Sequence, residues 1–454
     1  MKPEIDPIHG PLGKEVRWLP LTLRILLPFA SAYFLSYLLR NVNAVLATGL
    51  AHDFDLDAGQ LGSLTAAYFL GFAAMQIPIG VCLDRFSPSA VQASLFLLAA
   101  AGAMLFSVAH TPAGLLAARL LIGIGVAAGL VAGLKAIVLW FPKDRVPLAN
   151  GAFIAVGTLG AVAATAPTEW LLTEMGWRIL FQIITVCCAL VAASILVLFP
   201  RAEATTPPPQ HDSGLRGYAL VFSDARFWRL APLSGVSIGS AWALQGLWAG
   251  SWLSDVAGFD RHTLVSHLFV MSLALSGGAI SLGVIIQALK KVGIAPTLVL
   301  PGLVTLLILA ELLLALRQST LSIIPWCVIA LMGAGTVATY SITAGLFERS
   351  IVGRINGAIN LFHIGGAFLV QASIGFIIAR WPQTAGDHYP PTAYTAALLF
   401  LALAQALALS WYSTPLPFYN SPLPHQRHSA SKGRARLNCV DATTEKERAD
   451  AASV

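Results

Sequence analysis

Charge is what this chain has least of. Only 11% of its 454 residues are Asp, Glu, Lys or Arg, whereas 56% are hydrophobic and mean hydropathy is +0.73. Soluble domains carry roughly 25% charged residues, so a soluble enzyme is excluded as a first reading. Cysteine is scarce too. The five present (Cys82, Cys187, Cys188, Cys327 and Cys439) show neither metal-ligand spacing nor a secreted disulfide pattern, and the adjacent Cys187 and Cys188 read as small packing residues. No G-x-x-x-x-G-K-[ST] phosphate loop occurs, which argues against work driven by ATP. With no nucleophile–base pair and no metal constellation, neither an enzyme nor a cofactor nor a bound metal is expected. The net charge of +6 is not read as a nucleic-acid signal, because its distribution has another cause.

What the chain has in abundance is long apolar runs. A bilayer crossing takes about 20 apolar residues. Twelve segments qualify: 23–49, 60–80, 90–109, 112–140, 150–172, 178–199, 228–254, 264–288, 295–316, 321–347, 352–379 and 391–413. Backbone groups in lipid must be satisfied within their own segment, so these are helices. The 39 glycines suit close helix packing there. The run after the first seventeen residues is too long for a signal peptide, so the start is expected to be retained.

Twelve crossings put both termini on one side. That side collects most of the 28 Lys and Arg residues, while the opposite loops hold only Arg178, Arg261, Arg317 and Arg380. The bias towards positive charge on the inner side then places both termini in the cytoplasm, in the inner membrane of a bacterium. Residues 200–227 are rich in proline and charge and read as a cytoplasmic linker between a six-helix half (1–199) and a second one (228–413). The polar tail 414–454 is expected to be disordered.

The halves carry a common pattern. Phe141, Asn150, Gly151 and Ala152 recur as Phe347, Asn356, Gly357 and Ala358, and Gly129 and Gly160 match Gly335 and Gly366, all at an offset of 206. A fixed offset marks an internal repeat, and transporters built from repeats bind substrate near the membrane midplane between them.

Between the second and third segments stands "GVCLDRFSPSA", with Gly80, Asp84 and Arg85 in the first, fifth and sixth places of a G-x-x-x-D-R-x-G-[RK]-[RK] loop. Arg119, Gly123 and Gly125 give R-x-x-x-G-x-G in the fourth segment. With these motifs, residues 20–413 resemble the major facilitator superfamily. The resemblance implies an all-α membrane fold of twelve helices in two pseudo-symmetric six-helix bundles. It also implies that Gly80, Asp84 and Arg85 brace a gate. The loop departs from the pattern at Ser87, Ser89 and Ala90, and its counterpart in the second half has Gln287 and Ala288 in place of Asp-Arg. The helix 5 signature of drug–proton antiporters is not met by "GTLGAVAATAP", which disfavours drug export.

Ionisable residues inside a span are costly and functional by default. Arg40 lies about seventeen residues into the first segment, and Ser36, Tyr37, Arg40 and Asn43 form one polar face of an apolar helix. Its guanidinium fork fits a carboxylate or phosphate. Substrate contacts are expected from Arg40, Tyr37, Asn43, Lys135, Trp242 and Gln245, although Lys135 could also snorkel to the surface. Proton-coupling candidates are His363, Arg119 and Glu169, the last taken as the sole acid deep in a span and free to pair with Arg119 or act as a cap. Trp252 reads as part of an interfacial belt. His267 and Met271 could favour a soft metal, but no second Met or Cys motif supports them.

The stretch "SYLLRNVNA" is similar to helix 1 of the organophosphate:phosphate antiporter group, which pairs its Arg with a second one on helix 7. Here helix 7 has only Arg229, at its start, so a monoanionic carboxylate is easier to accommodate. The expectation is a monomeric secondary transporter in the lipid bilayer, moving a small organic anion by alternating access, by symport or antiport with protons or a counter-ion. Two alternatives stay open: an exporter of a neutral or cationic compound or siderophore, and a membrane sensor that binds a solute without moving it.

Overall fold

The computed structural model describes residues 22–142, 145–200, 215–316, 323–347, 349–384 and 388–414. Those residues are helical throughout apart from short connections and an isolated bridge between Thr384 and His388. We number the spanning units α1 (22–54), α2 (Ala58–Arg85), α3 (Pro88–Ser107), α4 (Pro112–Trp140), α5 (146–175), α6 (177–198), α7 (225–255), α8 (Arg261–Lys291), α9 (Pro296–Ala315), α10 (Ile323–Leu346), α11 (Arg349–Ile378) and α12 (Pro391–Ser413). The face carrying residues 22 and 413 is called the terminal face, the opposite one the far face.

Among the described residues ten helices are long and apolar enough to cross a membrane. In that count the end of α5 and all of α6 form one helix, Ala166–Leu198. Gly176, at φ +74°, breaks it, a left-handed conformation that glycine adopts without steric cost. The break falls between the expected fifth (150–172) and sixth (178–199) segments. The first part of α5 is a shorter apolar helix, and α7 is interrupted by a π-helical turn, Leu244–Trp248.

Helix starts follow local chemistry. Asp57 and Gln60 close a capping box at α2, Thr111 caps α4 ahead of Pro112, and Asp224 caps α7. Ser87, the departure from the motif loop, is the N-cap of α3: its hydroxyl accepts from the Ala90 N–H at 3.2 Å, with Pro88 at the first helical position. Within the expected linker, Leu215–Ser223 is a helix, while residues 201–214 lie outside the described residues, as does the tail beyond 414. The described residues up to Tyr412 cluster as one compact unit.

The repeat seen in the sequence has a structural counterpart. α4 breaks before Gly129 and α10 breaks at Gly335, and Phe141 and Phe347 both end their helices in extended backbone. α5 packs on α1 as α11 packs on α7. A Cβ on Gly160 would sit 2.0 Å from the Phe34 carbonyl oxygen, and one on Gly366 would sit 2.2 Å from the Gly235 oxygen. Neither contact admits a side chain, so the helices approach at backbone distance. The halves meet through α2 against α11 and α5 against α8.

Both ends of this seam are tied. On the far face, Arg261 (α8) donates to both Glu169 (α5) carboxylate oxygens, at 2.7 and 2.5 Å, and to the Val45 (α1) carbonyl at 2.7 Å. Asp255 (α7) accepts from the Tyr394 hydroxyl at 2.6 Å and the Tyr389 N–H at 3.0 Å, and the Tyr389 hydroxyl in turn accepts from the Ala58 N–H of α2 at 3.0 Å. Towards the terminal face, Asn360 (α11) donates to Gln76 (α2) at 2.7 Å.

Candidate functional site

α1 is helical over Leu27–Asn41, kinks at Val42 and resumes at Asn43. Arg40 therefore sits in the last turn before a break, where the helix dipole favours a cation. It is 7% exposed. Its guanidinium lies 4.7 Å from the Tyr37 ring centre, 4.6 Å from Trp242 and 5.7 Å from Phe72, with the Tyr68 hydroxyl alongside. None of the ion pairs among the described residues includes Arg40, and its Nε has no partner. Cation–π contacts contribute about 0.5–2 kcal/mol each, against several kcal/mol for holding an unpaired charge in a membrane interior. The aromatic surroundings offset that cost only partly. An arriving anion would complete the site.

The second half supplies the opposite wall. The Trp242 indole N–H donates to the Gly333 carbonyl at 3.0 Å, where α10 breaks, which fixes the ring over Arg40. One residue past Gln245, α7 lies beside α1 at Gly246, where a Cβ would make an ordinary 3.6 Å contact with the Arg40 carbonyl. Gln245 is 4% exposed and its amide nitrogen has no partner. The π turn between Leu244 and Trp248 locally resets the face that α7 presents, as such turns often do at functional sites. Tyr33 stacks on Phe153 at 5.0 Å and meets Tyr37 edge-on at 5.1 Å. His363 meets Trp242 edge-on at 6.0 Å and Tyr340 at 6.3 Å.

Of the expected substrate contacts, the structure gathers Arg40, Tyr37 and Trp242, and Gln245 is buried on the π turn of α7 that packs against α1. Asn43 is adjacent but committed: its amide donates to the Thr65 hydroxyl at 2.8 Å, leaving its oxygen unpartnered. Lys135 does not join them. Its ammonium donates to the Leu83 carbonyl within the field of Asp84, because a long stem near a helix end reaches the nearest carbonyl and acid. Asp84 and Arg85 are exposed at the terminal end of α2. Gly80 and Gly357 flank the Tyr218 hydroxyl, to which a Cβ would come within 3.2 and 3.4 Å. Partial burial and the nearby Asp84 carboxylate push the Tyr218 phenol up.

Arg119 is 1% exposed; it donates to the Leu39 carbonyl at 2.9 Å and lies 5.3 Å from the Phe106 ring. Glu169 does not pair with it. Glu169 stands at the far face on Arg261, a partner separated by 92 residues in sequence. Nor is Glu169 the sole acid in a span: Glu311 of α9 is fully buried, accepts from the Gln405 amide at 2.8 Å and has its second oxygen unpartnered. Trp252 is buried edge-on against Trp326 at 5.8 Å rather than set in a belt. His267 bonds to the Thr263 carbonyl, and no cluster of metal-ligating side chains occurs among the described residues.

Sequence reasoning missed Tyr33, Tyr68, Phe72 and Tyr340 around the site, and the Ser234–Thr339 pair behind His363. Aromatic and hydroxyl residues scattered through apolar runs carry no periodic signal of their own. Glu311 did carry one, as an acid inside "LAELLLA".

The sequence profile of the Major Facilitator Superfamily matches residues 29–371. Among curated relatives, the hexuronate transporter of Escherichia coli K12 is 23% identical over 396 residues, covering 82% of this chain and 89% of that protein. The galacturonate transporter of Dickeya chrysanthemi is 26% identical over 266 residues, covering 54% and 76%. Among solved structures, a bacterial homologue of the human lysosomal transporter Spinster, inward-facing and unoccupied, superposes with a TM-score of 0.67 at 18% identity. That match covers 85% of this chain and 95% of the other.

Proposed function

This chain belongs to the Major Facilitator Superfamily as a multi-pass membrane transporter, and from that premise we propose that it carries a sugar acid or a related small carboxylate. The observation that supports this most is Arg40: a buried cation on α1, caged by Tyr37, Phe72 and Trp242, with no carboxylate paired to it among the described residues. A carboxylate accepts two parallel bonds from a guanidinium. The relatives named for hexuronate and galacturonate favour the same class.

Transport proceeds by alternating access, the site opening in turn to each side as the halves rock along the α2–α11 and α5–α8 seams. The terminal face is the cytoplasmic one, and the membrane is the bacterial inner membrane. The Glu169–Arg261 and Asp255–Tyr389 ties hold the outside closed. On the inner side, Asp84, Lys135 and Tyr218 form the brace, with Gly80 and Gly357 making room for it. Coupling is to protons or a counter-anion. A thermal-shift screen of the purified protein against hexuronates, sugar phosphates and siderophores, repeated with Arg40→Ala, tests the assignment. Stabilisation by hexuronates that vanishes in Arg40→Ala supports it. Stabilisation that survives the substitution, or that comes only from uncharged compounds, refutes it.

A further inference from the structure

Beside Trp242 runs a chain of hydrogen bonds that ends on a backbone carbonyl. The Gly335 carbonyl can only accept, so Thr339, whose hydroxyl lies 3.4 Å from it, donates there. The Thr339 oxygen then accepts from the Ser234 hydroxyl, 3.1 Å away. Having spent its one proton, Ser234 accepts from His363 Nε2, with which it is in contact. In that arrangement His363 is the Nε2–H tautomer, with Nδ1 a bare lone pair. That atom has no partner, and the whole side chain is 0% exposed. A neutral imidazole with one nitrogen committed as donor can only accept at the other.

We infer that His363 is a specificity residue whose Nδ1 accepts a hydrogen bond from a hydroxyl of the cargo, across the Trp242 ring from the Arg40 that holds its carboxylate. This rests on the anion reading of Arg40 and narrows it, from carboxylates in general to hydroxylated ones. Trp242 touches both ends, lying 4.6 Å from the Arg40 guanidinium and 6.0 Å from the imidazole. Such a site selects by what it leaves unpaired. A hydroxyl-free acid of the same size fills the volume but leaves a buried acceptor without a donor, which is unfavourable.

Two measurements test this on the full-length protein in lipid nanodiscs. In the first, nitrogen NMR of histidine-labelled protein, with the His363 signal assigned by its loss in His363→Asn, is expected to give Nε2–H and a bare Nδ1. An Nδ1–H tautomer overturns the inference before any ligand is added. In the second, binding of D-glucuronate is compared with that of cyclohexanecarboxylate, a ring acid without hydroxyls. Wild type is expected to favour D-glucuronate by about tenfold or more. His363→Phe, and independently Ser234→Ala, which frees the imidazole to change tautomer, should each weaken D-glucuronate severalfold and leave cyclohexanecarboxylate within twofold. Equal weakening of both acids overturns the hydroxyl subsite while Arg40 keeps its role. Conversely, Arg40→Ala binding both acids as wild type does would remove the anion anchor without touching the subsite. Binding of neither acid to wild type overturns both.

Discussion

Arg261→Ala removes the clasp that joins the halves at the far face. The side chain bonds bidentately to Glu169 and, through Nη2, to the Val45 carbonyl, so one substitution cuts α8 from both α5 and α1. Arg261 is 41% exposed and Glu169 17%, so the ion pair itself contributes no more than about 1 kcal/mol, as exposed pairs do. The charge-assisted bond to a backbone carbonyl adds roughly as much after allowance for solvent. A total of about 1–2 kcal/mol corresponds to a factor of roughly 5–30 in a two-state population. Leu61 lines a far-face cavity of about 230 Å³ and is 8% exposed, so a thiol there reports opening of that face. In a background with the five native cysteines replaced, Leu61→Cys should react with a water-soluble maleimide about 5–30 times faster once Arg261→Ala is added. Glu169→Gln should give a smaller rise, and the double variant should match Arg261→Ala alone, since the pair acts as a unit. A rate within twofold of the parent, or single effects that multiply, refutes the clasp.

Gly160→Ala and Gly366→Ala should each lower Tm by several degrees or block folding, because their Cβ atoms would sit 2.0 and 2.2 Å from backbone oxygens. Gly151→Ala, with open space around it, should leave Tm unchanged in the same melts. Partial burial would raise the Asp224 carboxyl, but hydrogen bonds from Arg226 and its charge outweigh that and hold it below the ordinary carboxylate value. A depressed folded value means stability present at neutral pH and lost as pH falls through that value. Wild type should therefore exceed Asp224→Asn by about 0.5–1 kcal/mol near neutrality, and the gap should close as pH falls below the ordinary carboxylate range; a gap constant with pH contradicts it. Asp84→Asn and Lys135→Gln should slow transport without changing which compounds compete. A changed competition profile in either would place Lys135 back in the cargo site.

The fold was largely legible because lipid imposes a length on every crossing, and because Gly160 and Gly366 recur at the same offset as Phe141 and Phe347. Where the chain does not need to be apolar, the reading weakened. The helix at Leu215–Ser223 lay inside a segment that composition marked as linker. Arg40 stood out because a cation deep in a long apolar run is costly. Lys135 was not placeable, since a long side chain near a helix end can turn either way and only Leu83 and Asp84 decide which. Glu169 found its partner 92 residues along the chain, a pairing that helical spacing cannot reveal. Tyr340, Ser234 and Thr339 gained their meaning only from the helices they face.

Uptake of radiolabelled D-glucuronate into proteoliposomes, compared among wild type, Arg40→Lys and Arg40→Ala at matched protein incorporation, tests the central claim most directly. Saturable uptake by wild type is expected, strongly reduced in Arg40→Lys, which keeps the charge but loses the fork, and abolished in Arg40→Ala. Uptake by Arg40→Ala at the wild-type rate and affinity would contradict the claim.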